Sequence, residues 1–268
     1  MSSTIRVEHQ AGWARIRIVR PDKRNALDRA TRVALGAAIA GLGADIRAVV
    51  LTGTGTSFCA GLDLTERAAE LAAGAPDTAG AEAIALNGAM RAHRAVFIAG
   101  VNGLALGGGM TLVNTCDLAL AAEDAAFGTP EIGFATYASM AGPTSRLLLN
   151  RKRAGWLLLT GERIDAATAR DWGLVNAVVA PAALDAHCAD LAGRIAGFDA
   201  AALAAIKASL DAVPGAELDW ERALLFGQGV NAAIRGASKP GAGLKRPPHP
   251  ADGDDGASIP AAPGSHGA

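Results

Sequence analysis

Aromatic side chains are scarce in this sequence, 4 % of 268 residues with a single tyrosine, so a core must be filled by alanine and aliphatic groups in close contact. Neither sign of charge is in excess. Twenty-five basic and 26 acidic residues leave a formal net charge of −1, a balance that gives no support for binding nucleic acids or membrane surfaces, both of which attract clustered positive charge. Cysteine is limited to Cys59, Cys116 and Cys188, widely spaced and with no CxxC pair. A disulfide framework and a zinc site are therefore not expected, and the thiols read as buried and reduced in a cytoplasmic protein. No stretch of about 18 apolar residues offers a membrane span. The start, "MSSTIRVEHQ", lacks the basic-then-apolar order of a secretory signal.

Half of the residues are hydrophobic and 33 are glycine, enough apolar content for one large domain with a small appendage. "TIRVEH" and "WARIRIV" alternate apolar with polar residues around "QAG", the pattern of a hairpin. "RPDKRNALD" reads as a loop from which Asn25 or Asp28 caps a helix whose apolar side carries Leu27, Leu35, Ile39 and Leu42. "IRAVVLT", "RAVFIAGVNG" and "CDLALAA" are short, nearly continuous apolar runs, as in strands buried on both faces. "GTGTSFCAGLDL" reads as a glycine-rich loop, a helix is expected around 80–93, and further helices around 140–160 and 165–172 precede a last strand in "GLVNAVV". The organisation expected is an α/β body over 1–180, an all-helical region over 181–236 and a disordered tail over 237–268, where Gly, Pro, Ala and Asp dominate.

Three consecutive glycines, Gly107 to Gly109, interrupt an apolar segment where glycine weakens helix and strand alike. A dinucleotide fingerprint would need the G-x-G-x-x-G spacing, and a P-loop would need a following Gly-Lys-Ser/Thr; neither is present. Close packing of a helix on a sheet accounts for one or two glycines more easily than three. An oxyanion site accounts for all three, because glycines at a helix start let free backbone N–H groups face a ligand oxygen without obstruction. A second loop of the same kind, "SFCAGLDL", places the N–H of Leu62 directly after a glycine.

"RPDKRNALD", "SFCAGLDL", "VNGLALGGGM", "CDLALAAEDAAFGTPEIG" and "RIDAATARDWGLVNAVV" occur in this order. Together they resemble the crotonase family, the enoyl-CoA hydratase/isomerase superfamily, over residues 12 to about 180 and more loosely beyond. The resemblance implies a spiral of repeated β-β-α units, a helical C-terminal region that mediates a homotrimer or a dimer of trimers, and an acyl-CoA thioester substrate. It implies no separate cofactor, since CoA is part of the substrate, and no metal. By the same resemblance the N–H groups of Leu62 and Gly108 grip the thioester oxygen, stabilising an enolate, and Glu131 in "TPEIG" moves the proton. A carboxyl group beside an apolar acyl pocket should have a raised pKa.

Two departures bear on the chemistry. Hydratases of the family carry a second glutamate three positions after the middle glycine, where this chain has Thr111, a residue that can orient a water or simply pack but cannot act as a base. The family's proline-glycine-glycine turn after the catalytic glutamate is replaced by "FATYASMAGPTSRL", in which Tyr137 either donates into the acyl pocket or packs. For CoA the resemblance points to Arg24 and Ala26 in the first loop, Ala60 beside the second, and Lys245 and Arg246 near the C-terminus for a 3′-phosphate. The reading is hydration of a 2-enoyl-CoA, with double-bond isomerisation, or a hydratase-lyase acting on an aryl enoyl-CoA, as alternatives. A non-catalytic acyl-CoA-binding protein and a nucleotide-dependent oxidoreductase are the alternatives of other classes.

Overall fold

The structure, a computed structural model, describes residues 4–76, 78–215 and 233. The elements run β1 (Ile5–Gln10), β2 (Trp13–Ile18), α1 (Arg29–Ala40), β3 (Ala48–Gly53), β4 (Ser57–Cys59), α2 (Leu64–Ala72), α3 (Ala79–Ala92), β5 (Val96–Val101), β6 (Leu104–Leu106) and α4 (Gly108–Thr115). They continue through β7 (Leu118–Ala122), β8 (Ala126–Gly128), α5 (Ala141–Leu148), α6 (Arg151–Thr160), β9 (Ile164–Asp165), α7 (Ala166–Asp171), β10 (Ala177–Val179), α8 (Leu184–Ala196) and α9 (Ala200–Gly215). A larger sheet has the order β1-β2-β3-β5-β7-β10 and a smaller one the order β4-β6-β8-β9. Among the described strands only the pairs β1/β2 and β8/β9 are antiparallel.

The chain therefore visits the two sheets alternately. β3 then β4, β5 then β6, and β7 then β8 each place one strand in the large sheet and the next in the small one, with helices completing each turn. This is the α/β spiral of β-β-α repeats. The small-sheet strands are only two or three residues long, too short to leave a period-two pattern, so β4 runs inside "GTGTSFCAGLDL", a stretch that reads as loop in the sequence. α2 was missed with them.

The large-sheet strands read as unbroken apolar runs because both faces are covered. Val49, Leu51, Phe97, Ala99, Ala119 and Ala121 face one core. Their alternating neighbours Ala48, Val50, Val96, Ile98, Leu120 and Ala122 pack against Leu184, Cys188, Ala192 and Ile195 of α8. The three cysteines are all buried and unpaired, and burial pushes the Cys59 and Cys188 thiols up to about 12.

At the start of α1, Asp28 is the cap, accepting from Thr31 N at 2.8 Å. Asn25, the alternative candidate, is instead fully buried and left-handed (φ 56°), donating to the carbonyls of Thr54 (2.9 Å) and Ser57 (2.6 Å). α9 is fastened to the spiral by Lys207. Its buried ammonium reaches Asp117 at 2.9 Å and donates to the carbonyls of Met90 (3.0 Å) and Ala95 (2.8 Å). It also sits 4.9 Å from the centre of the Phe97 ring. Residues 216–232 and 234–268 lie outside the described residues, and with them the rest of the expected helical region, the expected disordered tail, and Lys245 and Arg246. Among the described residues no helix is long and apolar enough to cross a membrane.

Two substitutions test these packing relations. Lys207→Met leaves Asp117 buried without its cation and should lower the unfolding free energy by about 3 kcal/mol in a denaturant titration. Gly109→Ala would place a methyl 2.0 Å from the Cys59 carbonyl oxygen and should cost about 2–3 kcal/mol by the same measurement.

Candidate active site

The two glycine-bearing loops meet backbone to backbone. Gly61 has φ +92°, and a Cβ there would lie 2.7 Å from Leu106 O and 3.0 Å from Gly108 N. A Cβ on Gly108 would come within 3.6 Å of Leu62 N. The amides of Leu62 and Gly108, residues from loops 46 positions apart in "SFCAGLDL" and "VNGLALGGGM", are thus side by side, and neither N–H has a protein acceptor among the described residues. Each glycine of the triple has its own reason. Gly107 adopts φ +49° and abuts Glu131, Gly108 keeps the Leu62 amide uncovered, and Gly109 passes the Cys59 carbonyl with no room for a side chain.

The first donor is held by the loop before α1. Residues 24–27 run alongside 60–63, with Ala60 N donating to Arg24 O (3.0 Å), Leu27 N to Gly61 O (2.7 Å) and Asp63 N to Leu27 O (3.3 Å). Arg20 clamps the two segments together. It donates to Ala26 O at 2.5 Å and reaches one carboxylate oxygen each of Asp28 and Asp63 at 2.9 Å. The other Asp63 oxygen accepts from the N–H groups of Thr65 (3.1 Å) and Glu66 (3.2 Å) at the start of α2. Burial alone would raise the Asp63 pKa, but Arg20 and these two amides outweigh it and hold the carboxyl below its ordinary value.

Glu131 sits on the short 3₁₀ turn Pro130–Phe134 that follows β8. Gly107 N donates to Gly128 O (3.0 Å), and Thr129 hydroxyl donates to Leu157 O (2.8 Å), so the turn is tied both to the triple glycine and to α6. A Cβ on Gly107 would lie 2.6 Å from Glu131 Oε1. The carboxyl group therefore rests on the residue next to the Gly108 amide. Its Oε2 is buried and has no hydrogen-bond partner among the described residues. Burial raises the Glu131 pKa, its own backbone N–H offsetting only part of the effect.

The other candidates fall into three groups. Thr111 is buried on α4, with its hydroxyl donating to Gly107 O at 3.2 Å. Arg24 is exposed and left-handed (φ 50°), whereas Ala26 is buried and Ala60 half-buried on the strip beside Leu62. Tyr137 is exposed, with its ring laid against Gly142 of α5, where an added Cβ would meet the hydroxyl oxygen at 2.5 Å. The supporting set of Arg20, Asn25 and Asp63 is not evident as part of the site from the sequence, where Asn25 reads only as a possible helix cap. A basic residue before the Pro21 turn and an acid directly after the Leu62 position were the available signals, but their pairing across 43 residues is visible only in the fold.

Residues 8–224 match the family described as enoyl-CoA hydratase/isomerase. A probable enoyl-CoA hydratase of Rhizobium meliloti (strain 1021) is 37 % identical over 231 residues, covering 82 % of this chain and 88 % of the relative. The mevalonyl-coenzyme A hydratase sidH of Aspergillus fumigatus is 36 % identical over 180 residues, 66 % of either chain. Among solved structures, an enoyl-CoA hydratase from Mycobacterium smegmatis superposes with a TM-score of 0.78 at 33 % identity, covering 89 % of this chain and 93 % of that one. The chain belongs to the enoyl-CoA hydratase/isomerase family and is an enzyme of that lyase and isomerase type.

Proposed function

We propose that this enzyme adds water across the double bond of a 2-enoyl-CoA. The N–H groups of Leu62 and Gly108 form the oxyanion hole and Glu131 is the acid-base. The observation that carries the reading is the lodging of one carboxyl group, with a buried and unpartnered oxygen, against the residue preceding an unpaired amide. Two donors on the thioester oxygen lower the energy of the enolate, a type of interaction worth roughly 3–4 kcal/mol per donor. Glu131 takes a proton from water as the hydroxyl oxygen bonds C3 and the double-bond electrons move onto the thioester oxygen. Return of a proton to C2 restores the carbonyl and the carboxylate, so one group serves both steps. CoA enters as part of the substrate, with Arg24, Ala26 and Ala60 as the strip it approaches and Lys245 and Arg246 as partners for its 3′-phosphate; no further cofactor or metal has a role.

Double-bond isomerisation is the second reading, and one observation favours it. The hydroxyl of Thr111 is engaged by Gly107 O, so no second acid-base stands where two-glutamate hydratases have one. A lone carboxylate can move a proton between C2 and C4 as readily as between water and C2. An aryl enoyl-CoA substrate followed by carbon-carbon cleavage is consistent with the same set. A homotrimer, or two trimers together, is supported by the exposed apolar side chains Phe134, Leu147, Leu148, Trp156 and Leu159 around α5 and α6. A cytoplasmic location is supported by three buried, unpaired thiols.

Turnover of a panel of enoyl-CoA esters in heavy water, read by mass spectrometry, separates the outcomes. Gain of water marks hydration, deuterium exchange without addition marks isomerisation, and fragment loss marks cleavage; silence across the panel with thermal stabilisation by acyl-CoA would replace the enzyme reading with a binding one. Glu131→Gln should lower kcat by about 10²–10⁴-fold, and undiminished turnover would remove Glu131 from the mechanism. The same variant should be more stable than the wild type at neutral pH. The folded-state pKa of Glu131 is raised above 4.5, so ionisation is disfavoured by folding. That penalty is present above the raised folded value and absent below about 4.5, so the Tm advantage of Glu131→Gln should shrink to nothing as the pH falls through that window.

A further inference from the structure

A trans peptide holds its C=O and the following N–H in one plane, pointing in opposite directions. Whatever grips the carbonyl therefore aims the amide. For the Leu62 donor the grip is Leu27 N on Gly61 O at 2.7 Å. For the Gly108 donor the carbonyl belongs to Gly107, and it accepts twice from one residue, from Thr111 N at 3.0 Å and from Thr111 Oγ1 at 3.2 Å. Gly107 N is itself held by Gly128 O at 3.0 Å. The peptide between Gly107 and Gly108 is flanked by glycines on both sides, and Gly107 stands at φ 49°, ψ −110°. No Cβ opposes rotation of that peptide, so hydrogen bonds to its carbonyl are what hold its direction.

We infer that Thr111 is a positioning residue for the oxyanion hole: its hydroxyl, donating to the Gly107 carbonyl, fixes and polarises the peptide whose N–H at Gly108 binds the thioester oxygen. The inference rests on the proposed oxyanion role of Gly108 and deepens it. A second donor on a carbonyl withdraws electron density through the amide and strengthens the N–H at its other end, by about 10–30 % per bond in a hydrogen-bonded chain. Thr111 is buried, so this bond does not compete with bulk water. The side chain at the position of the family's second glutamate thus serves through the backbone rather than by contact with the reacting atoms. Threonine bonds to the carbonyl four residues earlier occur elsewhere in this chain, as at Thr144 and Thr160, and the one at Thr144 likewise holds the first peptide of a helix; the one at Thr111 differs in that the amide it aims, Gly108 N–H, lies beside the Leu62 amide and the Glu131 carboxyl group.

The test removes the hydroxyl in two ways. Thr111→Val is compared with the wild type, and Thr111→Ala with Thr111→Ser, so that each pair isolates the hydroxyl and either pair decides if one variant fails to fold. The valine and alanine proteins should lose about 10- to 100-fold in kcat with KM changed less than about twofold, short of the roughly 10²–10³-fold cost of deleting a donor outright. The serine protein should stay within about threefold of the wild type. A second readout follows binding without turnover: the infrared stretch of a saturated acyl-CoA bearing heavy carbon at its thioester carbonyl. The shift to lower frequency on binding should be smaller in the valine and alanine proteins and kept in the serine protein, which a purely packing role for Thr111 would not produce. Equal kcat and equal carbonyl shift with and without the hydroxyl would overturn the inference. Glu131→Gln and the wild type run alongside: no turnover and no carbonyl shift in the wild type would sink the proposed function itself, whereas turnover and a carbonyl shift in the wild type, turnover lost in Glu131→Gln and indifferent Thr111 variants would sink only the inference.

Discussion

Where the turn after β4 passes the start of α4, main chain touches main chain, and the site exists only because nothing projects from either side. Added Cβ atoms at Gly61 and Gly109 would lie 2.7 Å and 2.0 Å from carbonyl oxygens of the opposite segment. Such an approach gives little side-chain packing to hold it, and glycines add conformational freedom to the unfolded chain. The two segments are kept together from outside the contact. β4 and β6 pair in the small sheet just before it, and the strip at 24–27 runs along the far edge of the Gly61 turn.

That strip is fixed mainly by polar groups. Arg20 satisfies a carbonyl and two carboxylates at once, and Asn25 spans from Arg20 N, at 2.9 Å, to the carbonyls on either side of the turn before β4. Two consecutive left-handed residues, Arg24 and Asn25, allow the tight reversal, and the buried Asn25 amide offsets their backbone cost with three hydrogen bonds. An isolated surface ion pair would contribute little. Here one guanidinium joins the cap of α1 to the start of α2, so two helix termini and an active-site loop share a single cation.

The larger sheet was legible in the sequence because its strands are covered on both faces and long enough to show it; "IRAVVLT" and "CDLALAA" lie where β3 and β7 run. The four short strands were not, since two or three residues carry no period, and their pairing partners lie 22 or more residues away along the chain. Motif order made Leu62, Gly108 and Glu131 readable as candidates, and the structure gathers them. The frame around them was hidden because Arg20, Asn25 and Asp63 are ordinary polar residues until the loops meet. Thr111 shows the limit most clearly. Its sequence position marks a departure from a two-carboxylate pattern, but which oxygen its hydroxyl meets depends on the rotamer and on where α4 begins.

Few buried side-chain atoms among the described residues lack a hydrogen-bond partner, and one of them lies at the site. Among the described residues the Leu62 and Gly108 amides are donors without protein acceptors, and Glu131 Oε2 is an acceptor without a donor, all gathered around Gly107. Among the described buried side-chain atoms without a partner, only that of Glu131 belongs to a carboxyl group. A buried carboxyl oxygen without a partner costs stability, and two half-buried amides beside it leave three polar groups free to meet one ligand. On the proposed reading the complement is a molecule with one strongly accepting oxygen and, a few bonds away, a proton to be given or taken. An α,β-unsaturated thioester with its water fits both needs: its oxygen becomes a better acceptor as the enolate develops, while the acid beside it becomes easier to deprotonate as water and substrate replace lost solvation. The unsatisfied groups would then bind the transition state more strongly than the ground state, which is the condition for acceleration rather than mere affinity.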